Sequence, residues 1–293
     1  MEILDGRQLA RDIRAELAAA VREIRDQGQR PPHLAAVLVG EDPASQAYVR
    51  NKVRSCEKIG YQSSLIRQPA DITEEALLRI VEDLNDDPDI DGFIVQLPLP
   101  DHIDETRITL AISPAKDVDG FHPVNFGRLA QGLPCYVPAT PAGIVEMLRR
   151  YQITTEGKEV VVVGRSHIVG TPISILLSRK NNPGNATVTM CHSRTRDLAE
   201  HTRRADILIA AIGRPDFITE DMVKKGAVVI DVGINRVDDD TREKGYRLVG
   251  DVAYEAVGQK AAYITPVPGG VGQLTVVSLL MNTLKAYRKE VYG

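Results

Sequence analysis

The hydrophobic pattern of the first hundred residues alternates between helical and extended segments. Apolar residues recur every three or four positions across residues 9–24, which predicts an amphipathic helix. The same spacing predicts helices over residues 44–59 and 73–84. Short apolar runs between them predict strands at residues 34–39, 63–67 and 92–97. This alternation indicates a parallel sheet covered by helices.

The alternation restarts after a stretch that has no sustained period. Residues 112–141 are rich in Pro and Gly and are predicted to form a binding loop on the substrate side. A helix over residues 141–151 follows, and from residue 159 the pattern reads strand, Gly-rich turn, helix, strand. Further strands are predicted at residues 187–190, 207–210, 227–232 and 263–265, before a last helix at 274–292.

These elements predict an α/β protein of two domains with the cleft between them. Residues 1–140 are expected to form an N-terminal α/β substrate domain, and residues 141–274 a Rossmann-like, doubly wound domain for a dinucleotide. The last helix comes after the final strand and could pack on either domain. We place it, as residues 275–293, on the first.

Composition narrows the class of protein. A chain of 293 residues with 43% hydrophobic content can bury a sizeable core, and a net charge of −4 argues against a nucleic-acid surface. The three cysteines lie far apart and fit neither a disulfide framework nor a zinc site. No secretory signal or membrane-spanning run is found, so we expect a cytoplasmic or organelle-matrix protein without a membrane partner.

The segment that begins with the predicted strand at residue 159 carries a candidate phosphate-binding turn. The apolar run 160–163 leads through Gly164, Arg165 and Ser166 to Gly170, where free N–H groups at a helix start favour an anion. The dinucleotide fingerprint G-x-G-x-x-G has Ser166 at its middle position here, so the motif alone equally fits a tight turn.

The end of the next predicted strand distinguishes between cofactors. No acidic residue occurs there before Asp197, whereas Arg165, Ser193 and Arg194 are available to a phosphate. An acid at this place selects NAD, and basic or hydroxyl groups accept the 2′-phosphate of NADP, so we predict NADP. The alternative is that these arginines are solvated loop charges. Two later strand ends, at Gly213 and at Gly233–Ile234, are predicted to face the nicotinamide, although ordinary turns would look the same.

Lys52 is the candidate catalytic cation. A helical wheel over residues 44–59 separates three apolar residues from three cations, namely Val49, Val53 and Cys56 from Arg50, Arg54 and Lys58. Lys52 instead lies along the apolar margin, between Tyr48 and Cys56. A lysine near apolar surface loses some preference for its charged form, as proton transfer near neutrality requires. The alternative is a lysine whose stem only covers apolar surface.

Three other segments carry polar or flexible groups suited to a ligand. Gln96 ends a predicted strand and could position a lysine as a neutral amide, or bond the proline-rich turn after it. Asp117 and Asp119 lie in the aperiodic stretch without a third ligand nearby, so we expect hydrogen bonds to a polar heterocycle and no metal. The loop 266–272 combines prolines with glycines that permit close approach of a ligand, or of a hinge.

Five motifs in order along the whole chain support a family resemblance. They are Tyr48-x-x-x-Lys52, Val95-Gln96-Leu97-Pro98-Leu99-Pro100, Lys116-Asp117-Val118-Asp119-Gly120, the turn from Gly164 to Gly170, and the loop from Pro266 to Gly272. Together they closely resemble the bifunctional methylenetetrahydrofolate dehydrogenase/cyclohydrolase family, the FolD type. The resemblance implies oxidation of 5,10-methylene-tetrahydrofolate by NADP and hydration of the 5,10-methenyl product to 10-formyl-tetrahydrofolate at the same site. It also implies a homodimer formed through the cofactor domain.

The resemblance assigns roles to individual residues. Lys52 matches the catalytic lysine, Tyr48 its orienting and stacking partner, Gln96 the tuning group, and Asp119 the carboxylate that binds the pterin. The other substrate-binding positions are Val95, Leu97, Pro98, Pro268, Gly269 and Gly270. The NADP-binding positions are Gly164, Arg165, Ser166, Ile168, Gly170, His192, Ser193, Arg194, Gly213, Gly233, Ile234 and Thr275.

The chain departs from the family pattern in two places. Gly272-Gln273-Leu274-Thr275 replaces the commoner Gly-Pro-Met-Thr, and residues 180–185 lengthen the connection before the second cofactor strand. Both changes could alter affinity. Three alternatives stay open: an NAD-preferring dehydrogenase with weak cyclohydrolase activity, a non-catalytic NADP-binding regulatory protein, and an amino- or hydroxy-acid dehydrogenase. The acid-free strand end argues against the first, and the filled positions Lys52, Gln96 and Asp119 against the second. The third needs an acid/base and arginine pair that we do not recognise.

Overall fold

The structure is a computed structural model that describes residues 1–242 and 244–292, without the side chain of residue 44. Two compact units make up the chain. The six-stranded unit comprises residues 1–10 and 140–275, and the three-stranded unit comprises residues 11–139 and the residues from 276 onward. Each unit is an α/β structure around a parallel sheet, as the sequence pattern predicts.

The strands are short, as is usual for α/β proteins. In chain order they are β1 Glu2–Ile3, β2 His33–Val39, β3 Gln62–Gln68, β4 Gly92–Val95, β5 Glu159–Val163, β6 Thr187–Cys191, β7 Ile207–Ala210, β8 Val228–Asp231, β9 Asn235–Asp238, β10 Tyr246–Val249 and β11 Tyr263–Ile264.

The helices range from one turn to six. They are α1 Gly6–Asp26, α2 Pro43–Ile59, α3 Glu74–Asp86, α4 Glu105–Ala111, α5 Pro123–Gln131, α6 Ala139–Arg150, α7 Gly170–Ser178, α8 Leu198–Thr202, α9 Tyr254–Gly258 and α10 Gly272–Tyr287, with a 3₁₀ turn at Glu220–Met222. In the part of the chain that the structure describes, none of them is long and apolar enough to cross a bilayer.

The sheet of the three-stranded unit has the order β3-β2-β4, all parallel. Every residue of β2 is buried, which explains its continuous apolar sequence. Apolar side chains of α3 and α4 cover this sheet and complete the core, with Leu77, Val81 and Ile108 each at 0–1% exposure. The carboxyl ends of β2 and β4 therefore lie on a rigid support.

The sheet of the six-stranded unit has the order β1-β11-β8-β7-β5-β6, with parallel pairing throughout. From β5 the chain passes to β6 on one side and then to β7 on the other. The carboxyl ends of β5 and β7 thus form the topological switch point, where doubly wound sheets bind their ligands. An antiparallel hairpin of β9 and β10 follows β8.

The first ten residues differ from the expected domain boundary. We expected them in the substrate domain, but they belong to the six-stranded unit. The reason is a strand pairing distant in sequence, in which Glu2 and Ile3 of β1 pair with Tyr263 and Ile264 of β11. Leu4 follows and is completely buried. A two-residue strand has too few positions for a period, so the pattern could not reveal it.

The stretch 112–141 is not a loop throughout, because it contains helix α5. His122 caps this helix by accepting the N–H of Val124, and Gly132 ends it in the left-handed conformation with φ 76°. Helix α5 has nine residues and buries only Asn125 and Leu129 fully. Two buried positions do not form a detectable repeat, so the sequence of this segment shows no helical period.

Candidate active site

Three predicted site residues from separate segments meet in the three-stranded unit. The Nζ atom of Lys52 on α2 donates to Oε1 of Gln96 at 3.3 Å. The same Nζ lies 3.9 Å from Oδ2 of Asp119. The side chains of Lys52 and Asp119 are 13% and 19% exposed, so the ion pair is partly shielded from solvent. A cation is thus held between a neutral acceptor and a carboxylate.

Helix α2 places Lys52 by its ends and by its buried face. Asp42 accepts the N–H of Ser45 at 2.7 Å and caps the first turn, while Gly60 ends the last turn with φ 86°. Val49 and Cys56 are fully buried, as the wheel predicts. Tyr48, one turn before Lys52, is 55% exposed. A large aromatic side chain therefore lies open to solvent beside the lysine.

Gln96 makes both of the bonds that the sequence left as alternatives. Its backbone N–H donates to Val37 O at 2.9 Å, which fixes the residue at the end of β4. Its Nε2 donates to Leu97 O at 2.6 Å. Because the amide nitrogen is used by a carbonyl of the proline-rich turn, the oxygen is the atom that faces Lys52. The turn thereby orients the amide.

Asp117 holds the loop that carries Asp119. Its carboxylate is 3% exposed and accepts N–H groups of Phe121 at 3.2 Å and His122 at 2.8 Å, and Nδ2 of Asn125 at 2.9 Å. Burial raises the pKa of Asp117 to about 6, although the three donated bonds favour the ionised form. The two acids of the motif thus have different environments, since Asp117 is structural and only Asp119 faces the lysine.

Asn125 is a residue of this site that sequence reasoning missed. It is completely buried, and its Nδ2 donates to Pro114 O at 3.0 Å as well as to Asp117. Its Oδ1 accepts the N–H of Tyr136 at 3.3 Å and the hydroxyl of Tyr292 at 2.8 Å. The His122-Pro123 pair, a helix cap followed by a first-turn proline, was the available signal that a helix places Asn125 here.

The remaining substrate-side positions divide between the two units. Val95 and Leu97 line a small hollow together with Asp119, and Pro98 is exposed beside them. Pro268, Gly269 and Gly270 lie in the six-stranded unit instead. There the N–H of Arg7 donates to Gly269 O at 3.1 Å, and a Cβ on Gly6 would approach Gly270 O to 2.0 Å. The loop 266–272 is therefore held tightly against the start of α1.

The turn after β5 is closely packed at its two glycines. Gly164 has φ 137°, and a Cβ there would lie 2.2 Å from Ala211 O. A Cβ on Gly170 would lie 2.2 Å from Gly164 O. Only glycine fits both positions, so the backbone of the turn stays close to the start of α7. Ser166 Oγ accepts the N–H groups of Val169 and Gly170 at 3.2 and 3.4 Å, and Arg165 and Ile168 are exposed at the mouth.

The end of β6 presents groups that fit a 2′-phosphate. His192 accepts the N–H of Arg194 at its Nδ1 atom, 3.1 Å away, and the N–H of His192 donates to Thr195 Oγ1. This turn leaves Ser193 and Arg194 exposed, and the first carboxylate beyond it, that of Asp197, lies immediately before helix α8. The donors present therefore suit the phosphorylated ribose of NADP.

The third part of this edge follows β7 and β8. Gly213 has φ 73° and is exposed, and Ile234 is 51% exposed. A Cβ on Gly272 would lie 3.0 Å from Cδ1 of Ile234, so the side chain of Ile234 reaches the start of α10. In the first turn of α10, Thr275 Oγ1 lies 3.2 Å from Thr140 Oγ1. The predicted cofactor positions thus follow the carboxyl ends of β5, β6, β7 and β8.

Two aspartates behind this edge were also missed. Asp231 and Asp251 are 3% and 0% exposed. Asp231 accepts the N–H of Gly233 in the loop after β8, and Asp251 accepts that of Ile212 in the loop after β7. Burial raises the pKa of Asp231 to about 7. No period or motif that we used points to Asp251, because it lies between a hairpin and a short helix.

Comparison with known proteins matches both halves of the chain to one family. The catalytic-domain model of the tetrahydrofolate dehydrogenase/cyclohydrolase family matches residues 4–119, and the NAD(P)-binding-domain model of the same family matches residues 138–291. A bifunctional FolD protein from Flavobacterium johnsoniae is 58% identical over 286 residues, which cover 98% of this chain and 97% of that protein.

Solved structures give the same answer for the fold. The bifunctional FolD enzyme of Campylobacter jejuni has a TM-score of 0.93 at 44% identity and covers 99% of each chain. The FolD enzyme of Trypanosoma brucei, solved with NADP and an inhibitor, has a TM-score of 0.91 at 41% identity over 99% of this chain and 98% of that one. Identity of this extent over both units means that the chain belongs to the tetrahydrofolate dehydrogenase/cyclohydrolase family.

Proposed function

We propose that this protein oxidises 5,10-methylene-tetrahydrofolate with NADP and then hydrolyses the 5,10-methenyl product to 10-formyl-tetrahydrofolate, with Lys52 as the proton carrier. The two activities and the cofactor follow from membership of the family. The observation that supports the role of Lys52 is its place between Gln96 Oε1 and Asp119 Oδ2, at 3.3 and 3.9 Å. The residue roles below are part of the proposal.

In the oxidation step the chain binds and orients its two ligands. NADP, when bound, supplies the acceptor for the hydride that leaves the methylene carbon. The turn from Gly164 to Gly170 holds the diphosphate with backbone N–H groups, and Ser193 and Arg194 bind the 2′-phosphate. Asp119 accepts hydrogen bonds from the pterin ring, and the exposed ring of Tyr48 stacks on the substrate beside Lys52.

In the hydrolysis step Lys52 moves protons. Water adds to the methenyl carbon, and Lys52, acting in its neutral amine form, accepts the proton that the water loses. The bond from this carbon to N5 then breaks, and Lys52 returns the proton to N5, while the hydroxyl proton leaves to solvent as the formyl carbonyl forms. Gln96 keeps a neutral acceptor on the lysine throughout, so the lysine is positioned without a fixed ion pair on that side.

The domain roles and the assembly belong to the same proposal. The three-stranded unit carries the folate chemistry, and the six-stranded unit binds NADP. We expect a homodimer formed through the six-stranded unit, as the family resemblance implies, and a cytoplasmic location. An NAD-preferring enzyme would be expected to carry an acid in place of Ser193 or Arg194.

The test follows methenyl formation and methenyl decay separately in wild type and Lys52→Met, with methylene-tetrahydrofolate and either NADP or NAD. We expect decay to fall about 100-fold or more in the variant, because a methionine side chain can neither accept nor return a proton. Lys58→Met is the matched control, since Lys58 lies on the same helix and is exposed. Unchanged decay in a folded Lys52→Met protein would show that another group carries the protons.

A further inference from the structure

Asp251 joins three separate segments at the cofactor edge of the six-stranded unit. Its Oδ2 accepts the N–H groups of Ile212 at 2.6 Å and Gly213 at 2.9 Å, from the loop after β7. Its Oδ1 accepts the N–H of Arg214 and Nδ2 of Asn235, both at 2.9 Å. One carboxylate that is 0% exposed therefore receives four hydrogen bonds. Such a buried carboxylate fixes the positions of its donors.

The space beside this carboxylate is closed. A Cβ on Gly233 would lie 2.2 Å from Asp251 Oδ1, so residue 233 has to be glycine for the loop after β8 to pass. A Cβ on Gly250 would lie 1.8 Å from Oδ2 of Asp231 in the same way. Both contacts are with carboxylates that are themselves held by several bonds. The loop after β8 is thus seated directly on Asp251.

Asp231 fixes Asp251 from the other side. Its Oδ1 accepts the N–H groups of Gly233 and Asp251, both at 2.9 Å, and its Oδ2 accepts that of Val252 at 3.0 Å. Its own N–H donates to Thr265 Oγ1 at 2.7 Å. The backbone of Asp251 therefore cannot move independently of β8. The two aspartates form one rigid support beneath the loops that carry Gly213 and Ile234.

We propose that Asp251 is a positioning residue that shapes the nicotinamide end of the NADP site. It acts through the N–H groups of residues 212–214 and through Asn235, and it does not contact the cofactor itself. The inference rests on the proposed placement of the nicotinamide beside Gly213 and Ile234. Chemically, Asp251 is expected to affect NADP and NAD alike, because both carry the same nicotinamide, whereas Ser193 is expected to distinguish them.

The decisive variant is Asp251→Asn, measured by calorimetric binding of three probes: NADP, NAD and 2′-phospho-ADP-ribose, which lacks the nicotinamide. The amide keeps the size of the side chain but turns an NH₂ group toward two donors that need an acceptor. We expect the Kd for NADP and for NAD to rise at least tenfold. The Kd for 2′-phospho-ADP-ribose is expected to stay within twofold of wild type.

Methenyl hydrolysis provides the second readout, since it consumes water and needs no hydride acceptor. We expect its rate to stay within twofold in Asp251→Asn. The matched control is Asp206→Asn, because Asp206 also accepts a backbone N–H, that of Glu159 at 3.0 Å, but at the opposite, amino end of the strands. This control is expected to bind all three probes like wild type.

Each outcome decides between the proposals. Unchanged NADP affinity in a folded Asp251→Asn protein overturns the inference, and so does an equal loss for all three probes. If this variant does not fold, Asn235→Ala takes its place and removes one of the four donors to Asp251. The inference then requires a threefold rise in the Kd for NADP and no rise in the Kd for 2′-phospho-ADP-ribose. Ser193→Asp tests the placement of the cofactor. If this variant binds NADP as wild type does, the proposed cofactor site is wrong. If it binds NADP more weakly while Asp251→Asn binds NADP like wild type, only the role of Asp251 is wrong.

Discussion

Asn125 offers the sharpest test of how the three-stranded unit holds its site. The change Asn125→Ala removes a fully buried amide and four hydrogen bonds. It leaves Pro114 O and the N–H of Tyr136 without this partner, and it takes one of three donors from the Asp117 carboxylate. No part of the change touches Lys52 directly.

The expected cost follows from the number of groups left unsatisfied. A buried polar group without a partner costs about 1–3 kcal/mol, and a bond to a charged group is worth about as much. Two backbone groups and one weakened carboxylate together give a loss of about 3–5 kcal/mol in the free energy of unfolding. The control Tyr292→Phe removes only the half-buried hydroxyl bond to Asn125 Oδ1 and is expected to cost about 1 kcal/mol.

Urea unfolding followed by circular dichroism measures the stability, and hydrogen exchange of residues 114–137 measures the local effect. We expect Asn125→Ala to raise the KM for the folate substrate, since the Asp119 loop loosens, and to leave the Kd for NADP unchanged. A loss of stability no larger than that of Tyr292→Phe would refute the reasoning, because it would mean that water replaces the amide at no cost.

Two further predictions concern a buried acid and a glycine. Burial raises the pKa of Asp117 from 3.8 to about 6, so the folded state binds the proton of this carboxyl more tightly than the unfolded state does. The stability that this proton contributes is present at low pH and is lost as the pH rises through about 6. Between pH 4 and pH 8, urea unfolding should therefore show that wild type loses about 2 kcal/mol more stability than Asp117→Asn, because the carboxyl of the unfolded chain is already more than half ionised at pH 4. A parallel pH dependence of the two proteins would contradict the assignment. Gly164→Ala places a Cβ 2.2 Å from Ala211 O, and we expect it to raise the Kd for NADP at least tenfold in calorimetry. The control is Gly157→Ala, which is also at positive φ but has no atom within 4 Å of its Cβ, and which should leave the Kd unchanged. Equal affinities in the two variants would contradict the tight-turn argument.

The long periodic segments of the fold were predictable from the sequence. The helix predicted over residues 44–59 is α2 at Pro43–Ile59, and the strand predicted at 34–39 is β2 at His33–Val39. Both bury one face or the whole segment, so their apolar residues repeat with the period of the element. Short elements lack such a repeat. Helix α5 and strand β1 were missed for this reason.

The candidate site was predictable only as a set of residue types. Lys52, Gln96 and Asp119 each stood out locally, one by its place on a helical wheel and two by their place in strand ends or loops. Their distances of 3.3 and 3.9 Å depend on the packing of α2, the end of β4 and the loop between α4 and α5. Asp251 had no local signal, and Asn125 had only the indirect signal of the His122-Pro123 helix start, because the partners of both side chains lie in other segments, up to 167 residues away.

The sequence by itself determined that the chain is an α/β protein with a glycine-containing turn between a strand and a helix at Gly164, an acid-free strand end at Ser193 and a lysine on the apolar margin of a helix. These properties are local, because they depend on the period of side chains and on the conformations that glycine and proline allow. Only the tertiary structure decided that β1 pairs with β11, that Asp117 is buried while Asp119 faces Lys52, and that Asp251 supports the loops after β7 and β8. Burial and hydrogen bonding between distant segments are created by folding, so no window of sequence contains them.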